Sequence, residues 1–266
     1  MISFTSEQLN VWLGAFLWPF IRIMALISTA PIFDQPNVPN TVKIGLAAIL
    51  TVIISPLLGT LPAVNVGSAA GILIIAQQIL IGASMGLVMQ VVFAAVEGAG
   101  EFAGLQMGLG FAQLITPTAV GGETLVLANL LNVFWTLVFL AIDGHLRLIS
   151  ALMESFTTLP ISTVNLQAHG FETIAAWGGA IFSGGLMLCM PIVAVILMAN
   201  ISVGILNRAA PQIGVYQVGF AITLLVGVLM LDFTLPNIIP YIVQLTEEGF
   251  NVLFTAIAGF GGYQHI

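Results

Sequence analysis

The chain holds one cysteine, three histidines and four basic residues among 266 positions. A lone Cys189 cannot close a disulfide within the chain, so the redox compartment cannot be read from cysteine. Nucleic-acid binding needs a stripe of Lys and Arg to neutralise phosphates, which four scattered bases cannot supply. His145, His169 and His265 lie far apart with no second histidine at helical spacing, so no metal site and no cofactor is expected. Charged residues make up only 6% of the chain, against about 25% in an ordinary soluble domain. Acids exceed bases by eleven to four, a formal net charge of −7.

Apolar residues take up what is missing. The hydrophobic share is 59% and the mean hydropathy +1.13, and no Asp, Glu, Lys or Arg stands between Lys43 and Glu97. A surface this poor in charge must be hidden by a bilayer or by other apolar chains. Glu7 precedes the first apolar run, and neither a positive leader region nor a small-residue cleavage site stands there. That run is therefore expected to stay in the mature protein.

The fold class expected is all-α, with six or seven apolar helices. Val11 to Ala30 reads as a first span, although it carries Pro19 and Arg22, and a charge at mid-span usually faces protein or water. The prolines of 31–40 mark a loop. Thr41 to Leu61 is a second span, closed by Pro62, and Ala69 to Val96 a third, already too long for a bilayer core of about 30 Å. From Glu97 to Thr124 the glycines at 98, 100, 104, 108, 110, 121 and 122 argue against a regular helix. Thr124 to Ile142 is a fourth span, and Leu146 to Phe156 reads as an interfacial or partner-facing helix. Thr173 to Asn207 reads as a long helix bent at Gly184-Gly185 or Pro191. An apolar run to Leu235 and a segment from Ile238 to Phe260 follow, so the chain ends as a long hairpin turning at Asn207 to Gln212.

No serine elbow, phosphate loop or metal-helix signature stands in the sequence, and Cys189, inside an apolar run, reads as a structural thiol. An enzyme is not expected. Glu97 and Glu101 form a like-charged i, i+4 pair that suits a solvated helix end, an ion path or a partner contact. Gly82-x-x-x-Gly86 and the series Gly100, Gly104, Gly108 would make smooth helix grooves, a weak signal alone. The stretch Gln106-Met107-Gly108-Leu109-Gly110-Phe111-Ala112-Gln113 joins a pliable backbone to apolar bulk. An apolar stopper in a channel, or an ordinary loop, has this character.

Arg22, the Ala30-Pro31 to Pro39 loop with Lys43, Ala99-Gly-Glu101, Gln106-Met-Gly108, Pro117, Asp143-Gly-His145, Ser155 to Pro160 and above all Asn207-Arg-Ala-Ala-Pro-Gln212 before Val218-Gly-Phe220 carry a resemblance. Over nearly its whole length the chain resembles the FliR family of the flagellar type III export gate, with injectisome relatives of the SpaR and EscT kind. It departs at Gly214, Tyr216 and Ala221.

The resemblance implies one FliR-like export-gate domain over 1–266. A FliP-like part, 1–172, would hold a plug loop at 105–122, and 173–266 would be a FliQ-like helical hairpin. It further implies a non-enzymatic, multi-pass subunit of the bacterial inner membrane, in the flagellar basal body. Such a subunit joins FliP-like and FliQ-like partners, works with FlhB-like and FlhA-like components, and passes unfolded flagellar proteins. The plug would comprise Gln106, Met107, Gly108, Leu109, Gly110, Phe111, Gln113 and Leu114. Arg22, Glu97, Glu101, Asp143, His145, Arg208 and Pro211 are expected to serve partner or structural contacts, Arg22 by pairing with an acid within the assembly. An injectisome subunit of the same fold, or a secondary transporter with broken helices and intramembrane charges, is the alternative.

Overall fold

The computed structural model describes residues 6–35, 38–59, 61–62, 64–110, 126–209 and 215–262. The described residues are helical with connecting turns: α1 (Ser6–Thr29), α2 (Asn40–Ile54), α3 (Ala69–Gln106), α4 (Val126–Ala141), α5 (Gly144–Thr158), α6 (Ala168–Trp177), α7 (Ala180–Ala209) and α8 (Val215–Phe260). A short 3-10 turn, Ser55–Leu57, closes α2, because Pro56 cannot continue the hydrogen-bond ladder. The second helix therefore stops before the expected Leu61. Among the described residues five helical stretches are long and apolar enough to cross a membrane, or six if α4 and α5 count as one broken span. The chain is a membrane protein by this measure.

Three boundaries differ from the sequence reading. α3 does not stop at Val96 but runs through Gly98, Gly100 and Gly104 to Gln106. At about 1.5 Å per residue its 38 residues reach some 57 Å. α7 passes unbroken through Gly184-Gly185 and Pro191, and the interruption falls at Gly178-Gly179. The runs around Leu235 and Ile238 are one 46-residue helix with Pro236 and Pro240 inside it. Of the turn expected at Asn207 to Gln212, residues 207–209 belong to α7 and 210–212 lie outside the described residues.

The chain forms two compact units, each assembled from separate stretches. The first takes 1–90, 139–178 and 249–266. There α1 crosses α3 at the Gly82-x-x-x-Gly86 step. A Cβ at Gly82 would overlap the Arg22 carbonyl oxygen and Ala25, and one at Gly86 would overlap Thr29. That ridge of missing side chains lets two backbones touch. Trp18, Ile23, Leu26, Ile74, Ile81 and Met85 fill the core beside the crossing. The Trp177 indole donates to Val88 O at 3.0 Å, and Gln77 donates to Val164 O at 2.8 Å. Gln167 N–H bonds Phe260 O at 3.1 Å, while Phe171 meets the Phe260 ring edge-on at 4.7 Å.

The second unit takes 91–138 and 179–248. Gly100 lies against the Ala128 backbone of α4, and Phe93 packs edge-on against Trp135 at 6.2 Å. Gly185 faces Ala95 O of α3, Gly184 faces Leu245, Met187 meets Tyr241, and Val203 lies near Gly219. Residues that rise along α7 thus pair with residues that fall along α8, so the two helices run antiparallel as the expected hairpin requires. Cys189 is buried and its thiol donates to Leu186 O. It borders an apolar void of about 20 Å³, room for roughly one water with no polar group to hold it.

Candidate functional site

The segment at the end of α3 owes its shape to one glycine. Gly108 has φ +84°, a left-handed conformation that only glycine adopts freely. Gly108 N–H bonds Leu105 O at 3.0 Å and Leu109 N–H bonds Gly104 O at 3.0 Å, the paired reverse bonds that end a helix on a left-handed residue. Gly98, Gly100 and Gly104 stay within α3, where Gly100 admits the Ala128 backbone. At Gly108 the chain leaves the helix.

Met107, next to this turn, is 1% exposed. Its side chain occupies the space that a Cβ on Gly227 of α8 would need, and Thr223 Oγ1 donates to Met107 O at 3.5 Å. The start of the glycine-rich stretch is thereby pinned to α8, whereas Gln106, Gly108, Leu109 and Gly110 are partly exposed. Phe111, Gln113, Leu114 and Pro211 lie outside the described residues.

On α3, in the same unit, Glu97 and Glu101 are half-buried one turn apart. Among the described residues neither has an ion-pair partner. Arg208 is exposed in the last turn of α7, where a cation complements the unpaired carbonyls.

In the first unit Arg22 sits at 0% exposure, and among the described residues its partners are neutral. Nε donates to Gln78 Oε1 at 2.7 Å, Nη1 to Ser155 O at 2.9 Å and Ser155 Oγ at 3.2 Å, and Nη2 to Leu159 O at 3.0 Å. The guanidinium also stacks 4.3 Å from the centre of the Phe156 ring. Four neutral acceptors and a π face spread the charge, which the rigid fork of Arg can satisfy and the point charge of Lys cannot. Both carbonyls stand at the end of α5; Ser155 O already accepts from Leu159 N–H at 3.0 Å, whereas Leu159 O lies past the last helical bond. Arg22 is in effect the C-terminal cap of α5, supplied from α1.

Asp143 stands at the N-cap position of α5 with φ +57° and makes no side-chain cap bond; its carbonyl accepts from Leu146 and Arg147 N–H instead. His145 is half-buried, and its Nδ1 atom is enclosed without a hydrogen-bond partner among the described residues. Arg147 lies 4.5 Å from the Phe250 ring centre. Lys43 is buried and forms an ion pair with Asp34 in the proline-rich turn.

Gln78, Phe156 and the carbonyl of Leu159 escaped the sequence reading as partners of Arg22, and so did Gly227 as the seat of Met107. Nothing local marks them, because each acts on a residue far along the chain. Asp232 escaped for another reason: it hid in a run read as apolar, where a solitary acid should have stood out. No cluster of three or more His, Cys, Asp or Glu suited to a metal occurs among the described residues.

Comparison with known proteins places these features in context. Residues 13–249 match the family model described as bacterial export proteins, family 1. The chain is 47% identical over 253 residues to the flagellar biosynthetic protein FliR of Pectobacterium carotovorum subsp. carotovorum, spanning 95% of this chain and 96% of that one. It is 43% identical to FliR of Escherichia coli (strain K12), spanning 97% and 98%. It is 30% identical to FliR of Bacillus subtilis (strain 168), spanning 82% and 84%.

Proposed function

The chain belongs to the FliR family of bacterial export proteins, and from that premise we propose that it is a non-enzymatic subunit of a flagellar type III export gate, assembled with FliP-like and FliQ-like neighbours around a channel for unfolded flagellar proteins. FlhB-like and FlhA-like components would act beside it in the inner membrane. The observation that carries this reading is a match spanning nearly the whole chain, on a protein whose helices outrun a bilayer. Large apolar side chains stand exposed along α2, α7 and α8, among them Val52, Phe182, Met187, Met198, Ile205 and Phe233. Sister subunits would cover them. In this reading 1–172 is the FliP-like part and 173–266 the FliQ-like hairpin.

The plug is the segment from Gln106 to Leu114. Met107 is its fixed root on α8 and Gly108 its turning point; the apolar residues beyond obstruct the conduit. An apolar constriction stops ions by dewetting and yields when a polypeptide displaces it. The test is deletion of 108–115 in cells, with ion or small-molecule leak as the readout. The reading expects leak to rise while the complex still assembles; an unchanged leak with an intact complex overturns the plug assignment.

A further inference from the structure

Asp232 is exposed on α8, well inside a helical stretch from Gly219 to Phe260 that is long and apolar enough to cross a membrane. It stands about 20 Å from Gly219 along the helix. Around it Leu225, Val228, Leu229 and Phe233 are each at least half exposed, and Asp232 shares their face at helical spacing. An ionised carboxylate on such a face is among the costliest groups to leave against lipid. Among the described residues it has no ion pair and no hydrogen bond. The antiparallel register of α7 sets uncharged residues near Ile196 level with it. Arg208, the base on α7, lies level with the beginning of α8, roughly 27 Å away along the axis.

A second acceptor stands beside the carboxylate. Pro236 is four residues on and has no N–H, so the carbonyl of Asp232 lacks its α-helical donor. A carboxylate without a partner among the described residues, beside a carbonyl that has lost its i+4 donor and framed by large apolar side chains, fits a cationic donor carried on an apolar element. It does not fit a polar channel wall or a bare lipid face.

We propose that the α8 stripe centred on Asp232 docks an apolar helix of a neighbouring gate subunit, and that this helix presents one Lys or Arg to the Asp232 carboxylate. The stripe supplies area and the ion pair fixes register, since a slip by one turn strands both charges in apolar surroundings. The inference rests on the gate reading above and names one contact within it.

The test uses the tagged full-length chain expressed with its native partner subunits. D232E should recover them at close to the wild-type level, whereas D232L and D232K should lower recovery by about tenfold or more. A photo-crosslinking phenylalanine analogue at Phe233, with Asp232 intact, should give an adduct with another export subunit. If the wild-type chain recovers no second membrane subunit, the gate reading itself fails. If the wild-type complex forms and D232L and D232K form it equally well, the Asp232 assignment alone is wrong. A Phe233 adduct with lipid only also overturns it, and does so even where a substituted chain is lost from the membrane.

Discussion

The guanidinium of Arg22 and the ammonium of Lys43 are both buried, yet they are held by opposite means. Lys43 pairs with Asp34, whose side chain is 49% exposed, so water shares the work and the contact is worth about 1 kcal/mol or less. Arg22 is sealed, and its charge is spread over neutral acceptors. Replacing it by Leu should strand Gln78 Oε1 and Leu159 O, at roughly 1–3 kcal/mol for each acceptor that water cannot reach, while Ser155 O keeps the Leu159 N–H. R22K keeps the charge but not the fork and should fall between wild type and R22L. Thermal unfolding of the detergent-purified complex reads this order directly. R22K matching wild type would show that the charge and not the geometry matters.

At the scale of the helix, the sequence disclosed that apolar helices exist and roughly where they begin. It did not disclose what its glycines were for. The same residue type turns the chain at Gly108, admits Met107 at Gly227 and brings two backbones together at Gly82 and Gly86. Gly100 and Gly185 read locally as helix breakers, but their partners, Ala128 and Ala95, are a long way off in sequence. Prolines misled in the same manner, for α8 absorbs Pro236 and Pro240 where a stop seemed due. The candidate site shows the same divide. The Gln106 to Gly110 stretch could be picked out by composition, whereas its anchor on α8 could not.

Two predictions follow from these contacts. G82L or G86L should force α1 off α3 and destabilise the chain by more than 2 kcal/mol, read as loss of membrane-inserted protein in pulse-chase. Normal accumulation of both variants would show that the crossing is not needed. G227V should unseat Met107 and raise resting ion leak without lowering the amount of assembled complex. M107A in that background should return leak toward wild type, because the clash is gone. If G227V leaks no more than wild type, Met107 is not the root of the plug.

For the molecule as a whole, charge is the governing scarcity. Arg22, Lys43 and Arg147 are engaged within the chain, and apolar side chains more than 60% exposed recur from Trp12 to Phe233. Such a surface suits a subunit that lives among neighbours. Lipid could cover the same face, but helices of 38 and 46 residues outrun a bilayer core of about 30 Å and leave part of it for neighbours. In mild detergent, the isolated chain should aggregate or bind far more detergent than its assembled form, a contrast that light scattering measures.

The most direct test is affinity purification of the tagged chain from native membranes of motile cells, followed by mass spectrometry of the intact assembly. The account predicts one particle of fixed mass containing this chain with FliP-like and FliQ-like subunits. A chain that runs alone and monodisperse while the cells swim normally would contradict it.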